Sequence, residues 1–408
     1  MRILFVSHRF PYPPTSGAKI RAYHMIRHLS ATHEVTVASL VRTGAEEHDA
    51  AGIAAYCAEY RMQRVSGPVQ VARMLSRLPG PTPSSFGYFY SGALLRRIRD
   101  LLERRPFDLI VAHSSSVSPY VEDVQGIPKI MDFCDMDSQK WLEYARYKPF
   151  PISLAYGLEG HKLAREEGRI ARQFDLCTVA TTAEAATLGR LSEDAAIDWF
   201  PNGVDSEYFA PSLEPCDPDA LVFVGRMDYF PNVECMRRFC ADVLPRVQAT
   251  RPRATLAIVG ADPTRDATAL GRLPGVTVTG TVPDVRPYLH RAALMVAPLN
   301  IARGTQNKIL EGMAAGLPVI TSRIAAGGVD AVASEHFVVA TSPEEQAEAI
   351  LRVLADPAER KRLALAGRAR MLSHHAWDRS MQRLDGIIER CLAMHASGQR
   401  AGGGESRR

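Results

Sequence analysis

The sequence of 408 residues predicts an α/β protein made of two successive Rossmann-like β/α/β domains. Three observations carry this. Short apolar runs recur without the in/out alternation of a half-exposed sheet, as expected of parallel strands covered on both faces. Longer stretches between them carry apolar residues at helical spacing. At Phe200-Pro201-Asn202-Gly203-Val204-Asp205, proline and an Asn-Gly turn break the alternation, which then restarts.

Taken in order, Ile3–Ser7 is a strand, and residues 17–31 place Ile20, Tyr23, Ile26 and Leu29 at helical spacing. Strands are predicted at Val35–Leu40, 108–112 and 128–132, a long polar helix over 152–173, and a strand at Asp175–Ala180. Beyond the break, the loop 210–219 holds three prolines. Strands follow at Ala220–Val224, 254–259, 276–279, 294–297 and 318–321, with helices over 231–249, 283–292, 304–316 and about 375–394. The domains are therefore 1–200 and 201–374, then a terminal helix over 375–395. Residues 396–408 are rich in Gly and Arg and read as a disordered tail.

Composition narrows the function. Hydrophobic residues are 46% and charged residues 23%, the profile of an ordinary globular chain. Net charge is +4 from 49 basic and 45 acidic side chains, which gives nucleic-acid binding no support. No apolar run approaches the ~18 residues of a membrane span. Ile3–Val6 is too short for a signal-peptide core and is followed by His8, Arg9 and prolines, so a cytoplasmic location is expected. Seven cysteines without a C-x-x-C pair argue against a disulfide framework or structural zinc.

In parallel sheets, ligands bind beyond the carboxyl ends of the strands, so the loops there hold the candidate chemistry. Gly304 and Thr305 fall where a helix should begin, and helix N-termini offer free N–H groups to phosphate. Lys308 and Glu311, three apart, share a helix face: the lysine suits phosphate oxygens and the carboxylate suits adjacent sugar hydroxyls. An ordinary surface Lys–Glu pair has the same spacing, and both readings stay open on this segment alone. Phe223-Val224-Gly225-Arg226 ends a strand with a glycine that permits close backbone approach and an arginine whose forked donors suit diphosphate.

These segments, with Gly17, Thr279-Gly280-Thr281-Val282 and the block Glu311–Pro318, resemble the family-four-like nucleotide-sugar glycosyltransferases of the GT-B fold. The resemblance covers nearly the whole chain. The run Gly225–Asn232 and the segment Asp132–Trp141 look most like a bacterial subgroup associated with exopolysaccharide and exosortase loci. The resemblance implies two Rossmann-like domains facing across a cleft, with the last helix crossing back to the first. It implies that Glu311 holds the donor ribose, Arg226 and Lys308 the diphosphate, and the backbone at Thr281 and Val282 the nucleobase. Gly17 would leave room near the donor phosphates or acceptor, and His113 would lie by the transferred sugar. A histidine after a strand is otherwise commonly a buried, hydrogen-bonded residue.

Two positions depart from the family pattern. Arg303 stands where relatives often place a sugar-contacting glutamate, and Asn232 where they often place a lysine. Asp132 is the carboxylate best placed for the acceptor side, and Asp137 is expected to cap the helix beginning near Gln139. Asp135-x-Asp137 also matches the very short metal motif of a different glycosyltransferase fold. Residues 61–105 hold nine arginines and two acidic residues among apolar ones. This stretch could lie on an anionic membrane surface, a solvated helical face being the commoner outcome.

The expected function is sugar transfer from a nucleotide diphosphate donor to a glycan or lipid-linked acceptor, in polysaccharide biosynthesis, with retention at the anomeric carbon. The scheme needs no metal and no cofactor besides the nucleotide-sugar substrate. A nucleotide-sugar epimerase on the same fold and a catalytically silent nucleotide-sugar-binding partner are the alternatives, Arg303 being the motive for the second.

Overall fold

The apolar runs assemble into two parallel sheets in the computed structural model. It describes residues 1–405, with side chains except at Ala18 and 399–405. The first sheet contains β1 (Arg2–Ser7), β2 (Glu34–Val41), β3 (Glu59–Arg64), β4 (Leu109–His113), β5 (Lys129–Cys134), β6 (Leu176–Val179) and β7 (Ile197–Trp199), in the order β3-β2-β1-β4-β5-β6-β7. Its helices are α1 (Gly17–Leu29), α2 (Gly44–Asp49), α3 (Gly67–Ser76), α4 (Ser84–Tyr88), α5 (Gly92–Arg104), α6 (Asp137–Tyr147), α7 (Ile152–Gln173) and α8 (Thr182–Leu191).

The second sheet contains β8 (Ala220–Val224), β9 (Thr255–Val259), β10 (Val276–Val278), β11 (Leu294–Ala297), β12 (Val319–Thr321) and β13 (Val338–Val339), in the order β10-β9-β8-β11-β12-β13. Its helices are α9 (Phe230–Arg238), α10 (Leu244–Thr250), α11 (Arg265–Ala269), α12 (Arg286–Arg291), α13 (Asn307–Ala314), α14 (Arg323–Ala326), α15 (Pro343–Ala355) and α16 (Pro357–His374). The last helix, α17, is Trp377–Glu405. The chain divides into two compact units: Met1–Phe200 together with the chain from Met381, and Pro201–Ser380.

In each unit the central strands are buried end to end, which is why they read as unbroken apolar runs. Register places a polar row across the carboxyl end of the first sheet. Ser7 lies beside His113, His113 beside Asp132, and Asp132 beside Thr178. Neighbours in such a row are close enough to bond. In the second unit, the linker is fixed to the start of α17. The Val204 amide donates to the carbonyl of His375 at 2.7 Å, and a Cβ on Gly203 would lie 2.6 Å from the Trp377 ring.

The structure departs from several expectations. The stretch 61–105 is no single helical face: it is divided among β3, α3, α4 and α5. Part of its charge is used internally, since Arg105 bonds Glu34 at 2.8 Å and Glu59 at 2.6 Å. The helix expected over 231–249 is α9 and α10 joined by a wider turn at Phe239–Val243. Pro245, which has no N–H to donate, accounts for the interruption. The helix expected from Gly304 starts at Asn307, because Gly304 is in the left-handed region at φ 57°. Helix α17 continues through 396–405, where a tail was expected; 406–408 lie outside the described residues. Asp137 makes no cap bond. Helix α6 is capped from a distance instead, by Glu167 of α7, which accepts the Ser138 amide at 2.9 Å.

Candidate functional site

In the first unit the polar row closes into a buried network around Asp132, which is 0% exposed. Arg21 comes from the core face of α1, four residues before Met25. Its Nε donates to Oδ2 of Asp132 at 3.0 Å and its Nη2 to Oδ1 at 2.9 Å. A third guanidinium donor reaches the carbonyl of Phe200 at 2.9 Å, and the group lies 3.6 Å from the centre of that residue's ring. Thr178 donates to Asp132 Oδ1 at 2.8 Å, and His113 Nδ1 lies 2.7 Å from Oδ2. Burial alone would push the Asp132 carboxyl up; the Arg21 charge and the His113 bond hold it well below the usual carboxylate range.

Asp132, expected on the acceptor side, is buried, and its oxygens are taken up by Arg21, His113 and Thr178. The carboxylate thereby fixes Nδ1 of His113 and orients its ring. The backbone is tense beside both residues: Ser114 has φ 85°, and Cys134 has φ 63° just past a register shift in β5. His8 lies over His113, their ring centres 6.0 Å apart, and meets Phe89 edge-on. Burial and the neighbouring His113 hold His8 well below its ordinary pKa. Gly17 opens α1 and is exposed.

Asp135 lies beside Glu184, two residues before Asp137. Burial, with Glu184 beside it, pushes its carboxyl up to about 7. Among the described residues, no group of three or more His, Cys, Asp or Glu side chains is arranged to hold a metal ion.

In the second unit, the loops after β8 and β11 bring several predicted residues together. A Cβ on Gly225 would lie 2.7 Å from Asn232 Nδ2 and 3.2 Å from Lys308 Cε, so only glycine lets these side chains approach. Asn232 donates to the carbonyl of Arg226 at 2.8 Å and accepts from Lys308 Nζ at 3.1 Å. Asn232 thus positions the lysine rather than supplying a second charge. Burial lowers the Lys308 pKa and lifts the half-buried Glu311 carboxyl to about 7, against the pull of the Lys308 charge. The exposed Arg226 guanidinium is held through Nε and Nη2 by Asp228 at 2.8 Å and Asp262 at 2.7 Å, so an anion approaching it meets these carboxylates as competitors.

Thr305 precedes α13, Gly304 supports the close approach of Gly328, and Arg303 is exposed, its carbonyl accepting from Gln306 at 2.9 Å. Thr281 and Val282 follow β10 after Gly280, which has φ 69°. Arg21, Thr178, His8 and Asp262 were not among the expected residues. Only Arg21 carried a signal, as a cation at an apolar position of an amphipathic helix.

Residues 16–203 match the family described as glycosyl transferase 4-like domain, and 218–356 match glycosyl transferases group 1. A D-inositol 3-phosphate glycosyltransferase of Nocardiopsis dassonvillei is 28% identical over 277 residues, 60% of this chain and 63% of that one. A glycogen synthase of Mycobacterium tuberculosis is 31% identical over 195 residues, 45% of this chain and 46% of that one. The matches thus span less than two thirds of these relatives' lengths. Among solved structures, sucrose-phosphate synthase from Thermosynechococcus elongatus superposes with a TM-score of 0.72 at 18% identity, covering 96% of this chain and 99% of that one. Anabaena HepE, solved with UDP, gives 0.66 at 14% identity, covering 95% and 100%. These likenesses show the fold: two parallel-sheet Rossmann-like domains of the GT-B type.

Proposed function

We propose that this chain, whose two domains match the glycosyl transferase 4-like and group 1 families, transfers a sugar from a nucleotide diphosphate donor to a glycan or lipid-linked acceptor. The observation that carries the donor reading is the cluster around Gly225. A glycine at a strand end, a lysine seated by Asn232 and a half-buried carboxylate one helical turn beyond it converge within one unit. Lys308 and Arg226 suit the diphosphate, and Glu311 suits a pair of ribose hydroxyls. Thr281 and Val282 are assigned to the nucleobase, Gly304 and Thr305 to backbone contact with phosphate, and His113 to hydrogen bonding with the transferred sugar.

We assign retention of configuration to the reaction, with the leaving diphosphate helping to deprotonate the acceptor on the same face. Catalysis then rests on positioning and on cations that stabilise the charge developing on the leaving group. The likeness of Gly225–Asn232 to exopolysaccharide-associated transferases supports a place in polysaccharide biosynthesis. The test is titration calorimetry of Glu311→Ala with nucleoside diphosphates, beside product analysis with and without acceptor. Loss of the charge-assisted bonds costs about 1.5–3 kcal/mol, roughly a 10- to 150-fold weaker complex. Unchanged affinity overturns the ribose assignment, and altered donor sugar released without any acceptor overturns transfer.

A further inference from the structure

Two neighbouring segments of the first unit reverse the rule that large apolar side chains turn inward. Among the described residues, this unit exposes ten large hydrophobic side chains. Three of these are on α3, and five lie between the end of α6 and the first two turns of α7. Phe150, between those two helices, is 82% exposed and Leu154 is 67% exposed.

Helix α3 is inside out. Its buried residue is Gln70, whose amide donates to the carbonyls of Tyr88 and Tyr90. Pro68, Val71, Ala72 and Leu75, spaced i, i+3, i+4 and i+7, form an exposed apolar stripe. Helix α7 shows the same reversal at its start. Its exposed face runs Leu154, Leu158, His161, Arg165, apolar first and then basic, while Glu159 and Glu167 are buried. Lys162 of α7 donates to the carbonyl of Leu78 at 2.7 Å, just past the end of α3. Glu159 accepts the amides of Ser84 and Ser85 at 2.9 and 2.8 Å. These bonds set the chain just after α3 against α7, so the two apolar stretches lie on neighbouring elements.

Charge identifies what covers them. Arg73 of α3 is exposed, its guanidinium reaching the Gln70 side chain and the Tyr90 carbonyl. Arg146 and Arg165, on α6 and α7, are exposed as well. A second copy of the chain would set this basic surface against itself, and like charges brought together oppose pairing. An anionic partner is complementary. No helix among the described residues is long and apolar enough to cross a membrane, so contact with a bilayer would be from one side. Apolar side chains at a protruding turn, flanked by arginines, are the composition of an interfacial anchor: the former enter the headgroup–acyl boundary and the latter pair with lipid phosphates.

We propose that α3 and the turn between α6 and α7 form a docking surface for a lipid bilayer containing anionic lipid. Phe150 and Leu154 enter the interface, and Arg73, Arg146 and Arg165 face the headgroups. The inference stands apart from the donor reading, since none of its residues belongs to the Gly225 cluster or the Asp132 network.

The experiment is co-sedimentation of the full chain with vesicles of phosphatidylcholine alone or with one third phosphatidylglycerol. Binding at least tenfold stronger to the anionic vesicles is expected, falling with added salt. Phe150→Ser with Leu154→Ser should weaken it at least tenfold and leave the melting temperature unchanged, because both side chains already face water. Arg146→Gln with Arg165→Gln should weaken it and flatten the salt dependence. Phe150→Trp gives a reading that needs no loss of function: its added emission should shift to the blue on anionic vesicles and not on phosphatidylcholine. Equal binding to both vesicle types, wild-type binding by the double serine variant, or an unshifted emission from the Phe150→Trp variant overturns the proposal. So does a dimer in sedimentation velocity that the serine variant dissolves while vesicle binding is absent.

Discussion

Replacing Asp132 by Asn keeps the shape of the network and removes its charge. The Arg21 guanidinium is fully buried and keeps the carbonyl of Phe200, but meets a neutral amide in place of a carboxylate. Breaking a buried pair by removing one partner costs about 3–5 kcal/mol, because the other charge remains out of water. In either orientation the NH₂ group of the substituted amide faces an Arg21 donor together with Thr178 or His113, so those bonds weaken. The two units need not unfold together, so the readout must belong to the first. Amide hydrogen exchange in β4 and β5 under urea serves this purpose. The pH dependence has a definite sign. The Asp132 carboxyl is held below its unfolded range. Its stabilisation is therefore complete above the unfolded value of about 3.9 and is lost as pH falls through the lower folded value. The gap between wild type and Asp132→Asn should be constant from pH 8 to 5 and close only in stronger acid. A gap under about 1 kcal/mol at pH 7, or one that persists unchanged into that acid range, would show that Arg21 does not depend on Asp132.

Three further outcomes are expected at the donor cluster. With the Glu311 carboxyl near pH 7, only its ionised form accepts two hydroxyls, so nucleoside diphosphate affinity should fall about tenfold from pH 8 to 6. Glu311→Gln should lose that slope, and calorimetry at several pH values checks it. Transfer should persist in EDTA, because Arg226 and Lys308 supply the cationic charge; loss on chelation with recovery on manganese addition refutes this. Arg303→Glu should change the ranking among neutral and acidic nucleotide sugars and leave the melting temperature nearly unaltered, as expected of an exposed side chain; identical rankings in a competition assay place Arg303 outside the site.

What the sequence made legible follows from how each element is buried. Ala220–Val224 and Leu294–Ala297 are central strands covered on both faces, and their apolar runs give their limits directly. The break after Phe200 announces itself through proline and glycine. The strands that were not foreseen, Glu59–Arg64, Ile197–Trp199 and Val338–Val339, all lie at sheet edges. An edge strand has a partner on one side only and needs no apolar run. Glu59–Arg64 contains four polar residues and is a strand because β2 offers it a ladder. The donor residues lie within short segments, so local spacing could group them. The Asp132 network draws on positions 21, 113, 132, 178 and 200: the register of three parallel strands sets His113, Asp132 and Thr178 side by side, and Arg21 reaches them from α1.

The helix over Gly67–Ser76 shows why periodicity alone does not identify a core. A stripe at i, i+3, i+4 and i+7 fixes which residues share a face, and it is silent on what that face meets. The usual inference that the stripe turns inward assumes that the opposite face prefers water. Here the opposite face carries Gln70, whose amide is used by the backbone around Tyr88 and Tyr90. Two carbonyls that need donors outweigh the exposure of a few valine and leucine methyls, so the helix docks through its polar side. The same logic governs α7, where Glu159 and Glu167 turn inward to accept backbone amides and Leu154 and Leu158 are left outside. In both helices buried hydrogen bonding sets the orientation, and the apolar residues thereby freed are the ones available to a second phase.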